Sequence, residues 1–210
     1  MKRRPLVVLT GARGGGKTYA CVAAARKAAE LGYRIGGFVS RSERDARGVP
    51  TSIRIEEIVT GESRLLARRG ARLGGPSWPP SPSRPGGPEP FGFSPSTLAW
   101  AIELAARALA SGPDLVVVDE IGPVELELGE GLFPLLAAIA ARAPETAALV
   151  TVRPSLASRL AAAIRCASAG AGAAAGAGEA AIDRESRIVD LEAAPREKRA
   201  ESLIENLFPL

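Results

Sequence analysis

The chain has 210 residues, of which 46% are hydrophobic, so it is long enough to bury a core and too apolar to be disordered. Its formal net charge is +4 and it contains no histidine, which excludes a histidine general base and a histidine metal site. The positive charge comes from scattered arginines, and we do not expect nucleic acid to be the partner on that basis alone.

Neither a membrane span nor a secretory leader is visible in the sequence. No apolar run reaches the ~20 residues that a transmembrane helix needs, and the first residues lack the apolar stretch of a signal peptide. The two cysteines, Cys21 and Cys166, suggest no disulfide framework. We therefore expect a cytoplasmic protein with no membrane partner.

The first predicted element is a short buried strand, LVVLT at residues 6–10, followed by GARGGGKT at residues 11–18. This octapeptide fits the phosphate-binding loop pattern G-x-x-x-x-G-K-[ST], in which glycines let backbone N–H groups turn around an anion. Lys17 is expected to reach the β- and γ-phosphates and Thr18 to bind Mg²⁺. The expected nucleotide-binding residues are Gly11, Ala12, Arg13, Gly14, Gly15, Gly16, Lys17, Thr18 and Tyr19.

The next elements predict one helix and the beginning of a sheet. An Ala-rich helix is expected over residues 19–31, then strands over 34–40 and 52–60. A turn at 60–63 leads to a hairpin partner at 64–67, which would form an antiparallel pair on the edge of the main sheet. Residues 70–90, rich in Pro, Gly and Ser, predict a flexible insertion; a lid over the nucleotide or a Pro-rich docking ligand is the alternative interpretation.

The second half alternates helices with strands. Ser94 and Pro95 are a good helix start, and Gly112 with Pro113 a good stop. The expected elements are a helix to residue 109, a strand at 115–119, a helix at 132–142, a strand at 146–152, a helix at 155–164, a flexible Ala/Gly-rich loop at 167–178, a short strand at 180–182 and a closing helix at 196–208. This order predicts a single α/β domain over residues 1–210, with a mostly parallel sheet and helices on both faces.

The strand at 115–119 ends in Asp119 and Glu120. In phosphate-loop enzymes an acid at the end of a neighbouring strand holds Mg²⁺, usually through water, and that residue would be Asp119. Glu120 is then placed to take a proton from an attacking water, which distinguishes a hydrolase from a kinase.

Several segments beyond these two motifs resemble a known family, the small P-loop nucleoside-triphosphatases first described from thermophiles, whose animal members are called cancer-related nucleoside-triphosphatase. The similar segments are GFVS at 37–40 followed by Arg44, VTG at 59–61, DEIGPVEL at 119–126 and RESR at 184–187. The resemblance implies a three-layer, RecA-like core and Mg²⁺-dependent hydrolysis of NTP to NDP and phosphate, with loose base preference.

A cation beyond Lys17 is needed to stabilise charge on the transferred phosphoryl group. Arg44 matches the family segment and is the expected catalytic arginine, while Arg187 is expected to bind the base or phosphates. Arg153 and Thr151, at the end of the strand at 146–152, lie where ligands bind in such sheets. Glu125 is expected to orient the surroundings of Glu120 or an arginine.

The sequence therefore predicts an NTP hydrolase acting on ATP, GTP or other nucleotides. Two alternatives remain on the same core. One is a small-molecule kinase or ATP-dependent ligase, whose turnover would rise when an acceptor is added. The other is a nucleotide-dependent switch or assembly protein with slow hydrolysis.

Overall fold

A computed structural model describes residues 4–78, 89–172 and 186–209 of the chain. In these residues a nine-stranded sheet is flanked by six α-helices. The strands are β1 (Leu6–Thr10), β2 (Ile35–Arg44), β3 (Pro50–Glu57), β4 (Ser63–Arg69), β5 (Ser77–Trp78), β6 (Phe91–Phe93), β7 (Leu115–Val118), β8 (Ala147–Thr151) and β9 (Ser186–Asp190). The helices are α1 (Lys17–Glu30), α2 (Pro95–Ser111), α3 (Pro123–Leu128), α4 (Leu135–Ala140), α5 (Ala157–Gly172) and α6 (Arg199–Leu207).

The sheet has a parallel half and an antiparallel half. Its strand order is β5-β6-β4-β3-β2-β7-β8-β1-β9. The strands β2, β7, β8, β1 and β9 run parallel to one another, whereas β3, β4, β6 and β5 extend the sheet from β2 in antiparallel pairs. The α/β class and the mostly parallel core are confirmed.

Each face of the sheet is covered by its own apolar layer. Because successive strand residues point to opposite faces, Val8 and Val118 pack with α2, α4 and α5, whereas Val7 and Val117 pack with α1 and α6. The central strands are therefore apolar along their whole length, as a sheet buried on both sides requires. In this three-layer arrangement the carboxyl ends of the parallel strands lie along the same edge of the sheet.

The helix boundaries follow the chemistry of the caps where such signals exist. The Ser94 side chain accepts a hydrogen bond from the Thr97 amide, and Gly112 ends α2 in the left-handed conformation. The helix predicted from Pro95 is thus confirmed. None of the helices in the described segments combines the length and the apolarity that crossing a bilayer would require.

The antiparallel half is larger than the predicted edge hairpin. Strands β5 and β6 lie outside β4, and β5 falls within the stretch predicted to be an irregular insertion, whose residues 79–88 lie outside the described part. Strands of two or three residues are too short to show alternation, which is why the sequence did not reveal them. Strand β2 also continues four residues beyond its predicted end at Ser40.

Three predictions about helices need correction. The helix predicted over 132–142 is present but shorter, since α4 covers only Leu135–Ala140, and α3 at Pro123–Leu128 was not predicted. Helix α5 continues through Gly172, so residues 167–172 are helical rather than a loop. The closing helix α6 starts at Arg199, after a 3₁₀ turn at Arg196–Lys198. The strand predicted at 180–182 lies outside the described residues, and β9 follows it.

Candidate active site

The glycine-rich loop between β1 and α1 adopts a conformation that needs its glycines. Gly14 and Gly16 have φ of +77° and +96°, a region that side chains disfavour. Gly15 donates to the Ala12 carbonyl at 3.0 Å, and a Cβ on Gly15 would lie 3.0 Å from that same oxygen. The loop therefore folds back tightly and leads directly into the N-terminus of α1, where free backbone N–H groups favour an anion.

Lys17 and Thr18, the first residues of α1, connect the loop to the neighbouring strands. The Lys17 ammonium donates to the carbonyls of Gly11 at 2.8 Å and Ala12 at 3.1 Å. The Thr18 hydroxyl donates to the Ser40 carbonyl at 3.3 Å and lies close enough to the Asp119 carboxylate to lower its pKa. Two segments a hundred residues apart in sequence are thus in contact.

Asp119 is held from both sides by neighbouring strands. It is 1% exposed, and its Oδ2 accepts from the Ser40 amide at 3.0 Å while its Oδ1 accepts from the Thr151 hydroxyl at 2.6 Å. Burial raises the pKa of Asp119, and the hydrogen bonds from Thr151, Thr18 and Ser40 together with the charge of Lys17 oppose that rise. The carboxylate has a fixed position because both oxygens are bonded to the framework.

Glu120 follows in an unusual backbone conformation. Its φ is +75°, and it is the only non-glycine residue with positive φ in the described parts of the chain. Its amide donates to the Thr151 hydroxyl at 2.8 Å, which holds this strained turn in place. The residue is exposed to solvent, although the surrounding protein desolvates its carboxylate in part. Strained backbone of this kind is often found at functional sites.

The electrostatic surroundings of Glu120 combine one carboxylate with three cations. Burial, then the charge of Asp119, raises the pKa of Glu120, whereas Arg153, Lys17 and Arg13 lower it. Arg153 follows the end of β8 and Arg13 lies in the loop. The fold thus brings the predicted residues Lys17, Thr18, Asp119 and Glu120 together, with Arg13 and Arg153 beside them.

Glu125 stabilises the turn after Glu120. Its Oε2 accepts from the Gly122 amide at 2.8 Å, and its Oε1 accepts from the Leu132 amide at 3.0 Å. The residue is 5% exposed, and burial raises its pKa while these two amides oppose the rise. Glu125 therefore caps α3 and joins it to the following turn.

The other two predicted arginines lie elsewhere. Arg44 is four residues beyond Ser40 on the β2–β3 hairpin, about 13 Å along the strand, and it donates to the Gly48 carbonyl at 2.7 Å. Arg187 is paired in register with Val7, about 10 Å before the end of β1, and it donates to the Asn206 carbonyl at 3.4 Å. In the described residues neither side chain hydrogen-bonds the loop, and the roles of Arg44 and Arg187 in the site stay predictions.

Two residues near the C-terminus contact the loop although the sequence did not indicate them. Glu192 Oε1 accepts from the Ala12 amide at 3.2 Å, and Arg199 donates to the Gly15 carbonyl at 3.1 Å. Both lie close to the loop because Thr10 and Asp190 are paired across β1 and β9, so the segments that follow these strands are neighbours. Only a correct prediction that β1 pairs with β9 would have indicated these two contacts from the sequence.

The oxygen donors at the site fit magnesium. In the described segments no three residues of the His, Cys, Asp and Glu types form a cluster that could hold a metal ion by themselves. Thr18 and Asp119 offer one hydroxyl and one carboxylate in contact with each other. Mg²⁺ commonly uses one or two carboxylates and completes its octahedron with water and substrate phosphates.

The parallel part of the sheet carries a glycine-rich loop after β1 and an Asp-Glu pair after β7, and β8 lies between these two strands. This arrangement defines the P-loop NTPase fold class. A family model described as NTPase matches residues 6–171. The chain belongs to this NTPase family.

Curated relatives of the chain carry the name nucleoside-triphosphatase THEP1. The protein from Methanopyrus kandleri is 36% identical over 121 residues, which are 58% of this chain and 59% of the relative. The protein from Caldivirga maquilingensis is 31% identical over 125 residues, which are 58% of this chain and 61% of the relative. The chain thus spans about three fifths of the length of these relatives.

Two solved structures have the same fold. A human cancer-related nucleoside triphosphatase superimposes with a TM-score of 0.59 at 22% identity, covering 96% of this chain and 94% of that protein. THEP1 from Aquifex aeolicus superimposes with a TM-score of 0.59 at 19% identity, covering 96% and 98% of the two chains. These likenesses show the same α/β fold, with a mostly parallel core and additional antiparallel strands.

Proposed function

We propose that this protein is a Mg²⁺-dependent nucleoside-triphosphatase that hydrolyses ATP, GTP and other NTPs to NDP and phosphate. The observation that supports it best is the position of Glu120, a carboxylate on a strained turn beside the phosphate-binding loop. Family membership and the names of the relatives support the same reaction. Both cysteines are free, which suits a cytoplasmic location.

In this proposal the loop and Lys17 bind the triphosphate. The Lys17 ammonium rests on the Gly11 and Ala12 carbonyls, within the loop that would receive the phosphates. An incoming triphosphate offers it stronger, charge-assisted hydrogen bonds than those neutral carbonyls do. Lys17 then moves onto the β- and γ-phosphate oxygens and neutralises part of their charge.

Glu120 acts as the general base. A carboxylate with a raised pKa is a stronger proton acceptor than an ordinary glutamate. It accepts a proton from the water that attacks the γ-phosphorus. Arg153 and Arg13, which already act electrostatically on Glu120, lie where they can offset the charge of the transferred phosphoryl group.

Thr18 and Asp119 would hold the magnesium ion. An ion held there would supply positive charge that offsets the charge developing on the phosphate oxygens. Both Asp119 oxygens already accept framework hydrogen bonds, so we expect Asp119 to act mainly through a coordinated water. Thr18 contributes its hydroxyl directly, because it stands at the start of α1 beside the loop.

The test is phosphate release from a panel of NTPs by the wild type, Lys17→Ala and Glu120→Gln, without a second substrate. We expect Glu120→Gln to lower kcat by about 10² to 10⁴-fold while nucleotide binding is retained. Lys17→Ala should weaken binding as well. Glu127→Gln, which changes an exposed glutamate on α3, is the matched control.

Two results would contradict the proposal. One is a wild-type protein that binds ATP without releasing phosphate, which would favour a slow nucleotide-dependent switch. The other is turnover that rises many-fold when a metabolite is added, which would favour a kinase or ligase.

A further inference from the structure

A cavity of about 160 Å³ lies beside the phosphate-binding loop, between α1 and the segment that leads into α6. Its wall on one side is formed by Gly16, Tyr19 and Ala23, and on the other by Glu197, Arg199 and Ala200. These two walls belong to segments about 180 residues apart in sequence. The cavity therefore exists only because α6 packs against α1.

The position of the cavity relative to the loop suggests its ligand. Thr18 faces Ser40 and Asp119, so the reacting end of a triphosphate lies on the β2 and β7 side of α1. The lining of the cavity includes Gly16, the last glycine of the loop, and residues of the segment that leads into α6, but neither Asp119 nor Glu120. A nucleotide whose γ-phosphate is near Glu120 would leave the loop at its other end, next to this cavity.

We propose that the cavity holds the base and ribose of the bound NTP, with the Tyr19 ring as the surface on which the base stacks. A cavity of about 150 Å³ accommodates a benzene ring, so the volume here can admit part of a base while the rest stays at the open rim. Tyr19 is 68% exposed at the edge of the cavity, and its ring is accessible to a planar ligand. This inference rests on the proposed NTP hydrolysis.

The composition of the walls determines how selective the cavity is. Ala23 and Ala200 contribute methyl groups, and stacking on Tyr19 accepts any base because each base has a π-face. Glu197 is the only carboxylate among the lining residues, and it can accept hydrogen bonds from ribose hydroxyls. The cavity therefore binds nucleosides with little preference for one base.

Arg199 couples the cavity to the phosphate-binding loop. It lines the cavity, donates to the Gly15 carbonyl at 3.1 Å and donates to the Ala194 carbonyl at 3.2 Å. These bonds tie the segment before α6 to the loop backbone. The wall of the cavity is thus attached to the phosphate site rather than free to move away from it.

The experiment compares ligands with and without a nucleoside. Dissociation constants of ATP, GTP and inorganic triphosphate are measured by calorimetry with Mg²⁺, in a Glu120→Gln background that preserves the bound nucleotide. Ala23→Leu fills the cavity, and Tyr19→Ala removes the stacking ring. We expect each to weaken ATP and GTP about tenfold, and to change the binding of inorganic triphosphate less than twofold.

Matched controls are available on α1 at Ala29 and directly after it at Leu31. Ala29→Leu adds the same group to an exposed position outside the cavity, and Leu31→Ala removes an exposed apolar side chain. Neither should change ATP affinity. Because Tyr19 is exposed, Tyr19→Ala keeps the test valid even if Ala23→Leu does not fold.

The outcomes separate this inference from the proposed function. If both cavity variants bind ATP as the parent does, or lose inorganic triphosphate to the same extent as ATP, the nucleoside lies elsewhere and the inference is wrong. If the parent binds ATP no more tightly than inorganic triphosphate, the cavity is excluded as the nucleoside site, whereas the phosphate-binding role of the loop is supported. If the parent binds neither ligand, the proposed function fails first and the inference fails with it.

Discussion

The Thr151 hydroxyl donates a 2.6 Å hydrogen bond to Asp119 Oδ1 and accepts one of 2.8 Å from the Glu120 amide. One side chain thereby fixes a buried carboxylate and the backbone of the acid that follows it. This is possible because β8 lies next to β7 in the sheet, with Thr151 at the end of its strand. The two acids are positioned by a neighbouring strand as well as by their own.

Thr151→Val tests this arrangement with a side chain of almost the same shape. The variant removes a donor from a buried carboxylate and an acceptor from a buried amide. We expect the free energy of unfolding to fall by about 1–3 kcal/mol and kcat to fall more than KM rises, because Glu120 loses its fixed turn. Urea unfolding and steady-state phosphate release measure the two effects.

Thr146→Val is the matched control for that variant. Thr146 is also buried and donates to the Pro113 carbonyl at 2.7 Å, but it precedes the opposite end of β8. Thr146→Val should lower the free energy of unfolding without lowering kcat. Thr151→Ser should retain much of the activity, whereas wild-type kcat in Thr151→Val would show that the hydroxyl does not position the acids.

The pH profile of hydrolysis should reflect the surroundings of Glu120. Burial and then Asp119 raise the pKa of Glu120, so the base becomes protonated at a higher pH than an ordinary glutamate. We expect kcat to fall on the acid side of the pH profile, and the midpoint of this fall to lie at a higher pH than the pKa of an ordinary glutamate. Arg153→Gln removes a cation that lowers this pKa and should move the midpoint to still higher pH.

Arg159→Gln is the control for charge in that experiment. Arg159 is an exposed arginine on α5 and carries the same charge as Arg153. An equal shift in both variants would mean that net charge, rather than the placement of Arg153, sets the midpoint. No shift in Arg153→Gln would exclude Glu120 as the titrating base.

Glu125 should contribute to stability in a manner that depends on pH. Glu125→Ala leaves the Gly122 and Leu132 amides without their acceptor, and we expect a loss of about 1–3 kcal/mol. Glu125→Gln keeps one acceptor oxygen and should lose less. The measurement is urea unfolding of both variants beside the wild type.

The sign of the pH effect follows from the raised pKa of Glu125. The native state keeps its proton to a higher pH than the unfolded state, so wild-type stability is fully present below the unfolded pKa and declines as pH rises through the native one. Glu125→Gln lacks this decline. The stability gap between wild type and Glu125→Gln should therefore be wider at about pH 4 than at about pH 8; a gap that widens with pH would contradict the assignment.

Gly37→Ala should be among the most damaging single substitutions in the sheet. Gly37 has φ of +97°, and a Cβ there would overlap the carbonyl oxygen of Val117 on β7. We expect a loss of about 3 kcal/mol or more, from strain and from separation of β2 and β7. Gly32→Ala, at φ of +85° with nothing within 4 Å, should show the strain alone. Similar losses in the two variants, measured by thermal unfolding, would mean that the contact with β7 is unimportant.

Some features of this protein are determined by chain-local chemistry and were predictable. Glycines followed by Lys17 and Thr18 specify the phosphate-binding loop, and Ser94 with Pro95 specifies the start of α2, because each signal acts on backbone within a few residues. The apolar run before Asp119 specifies a buried strand for the same reason. Short strands such as β5 and β6 have no such local signal, whereas α3 has Pro123 in its first turn and Gly129 at its end, and these signals were overlooked.

The tertiary structure alone decided which distant residues meet. The order of the strands placed Ser40 and Thr151 on either side of Asp119, and the pairing of β1 with β9 brought Glu192 and Arg199 to the loop. It also gave Arg44 and Arg187 hydrogen-bond partners outside the loop, the Gly48 and Asn206 carbonyls. Register and strand order depend on the free energy of packing the whole sheet, to which every strand contributes, so they cannot be obtained from the pattern of any single segment.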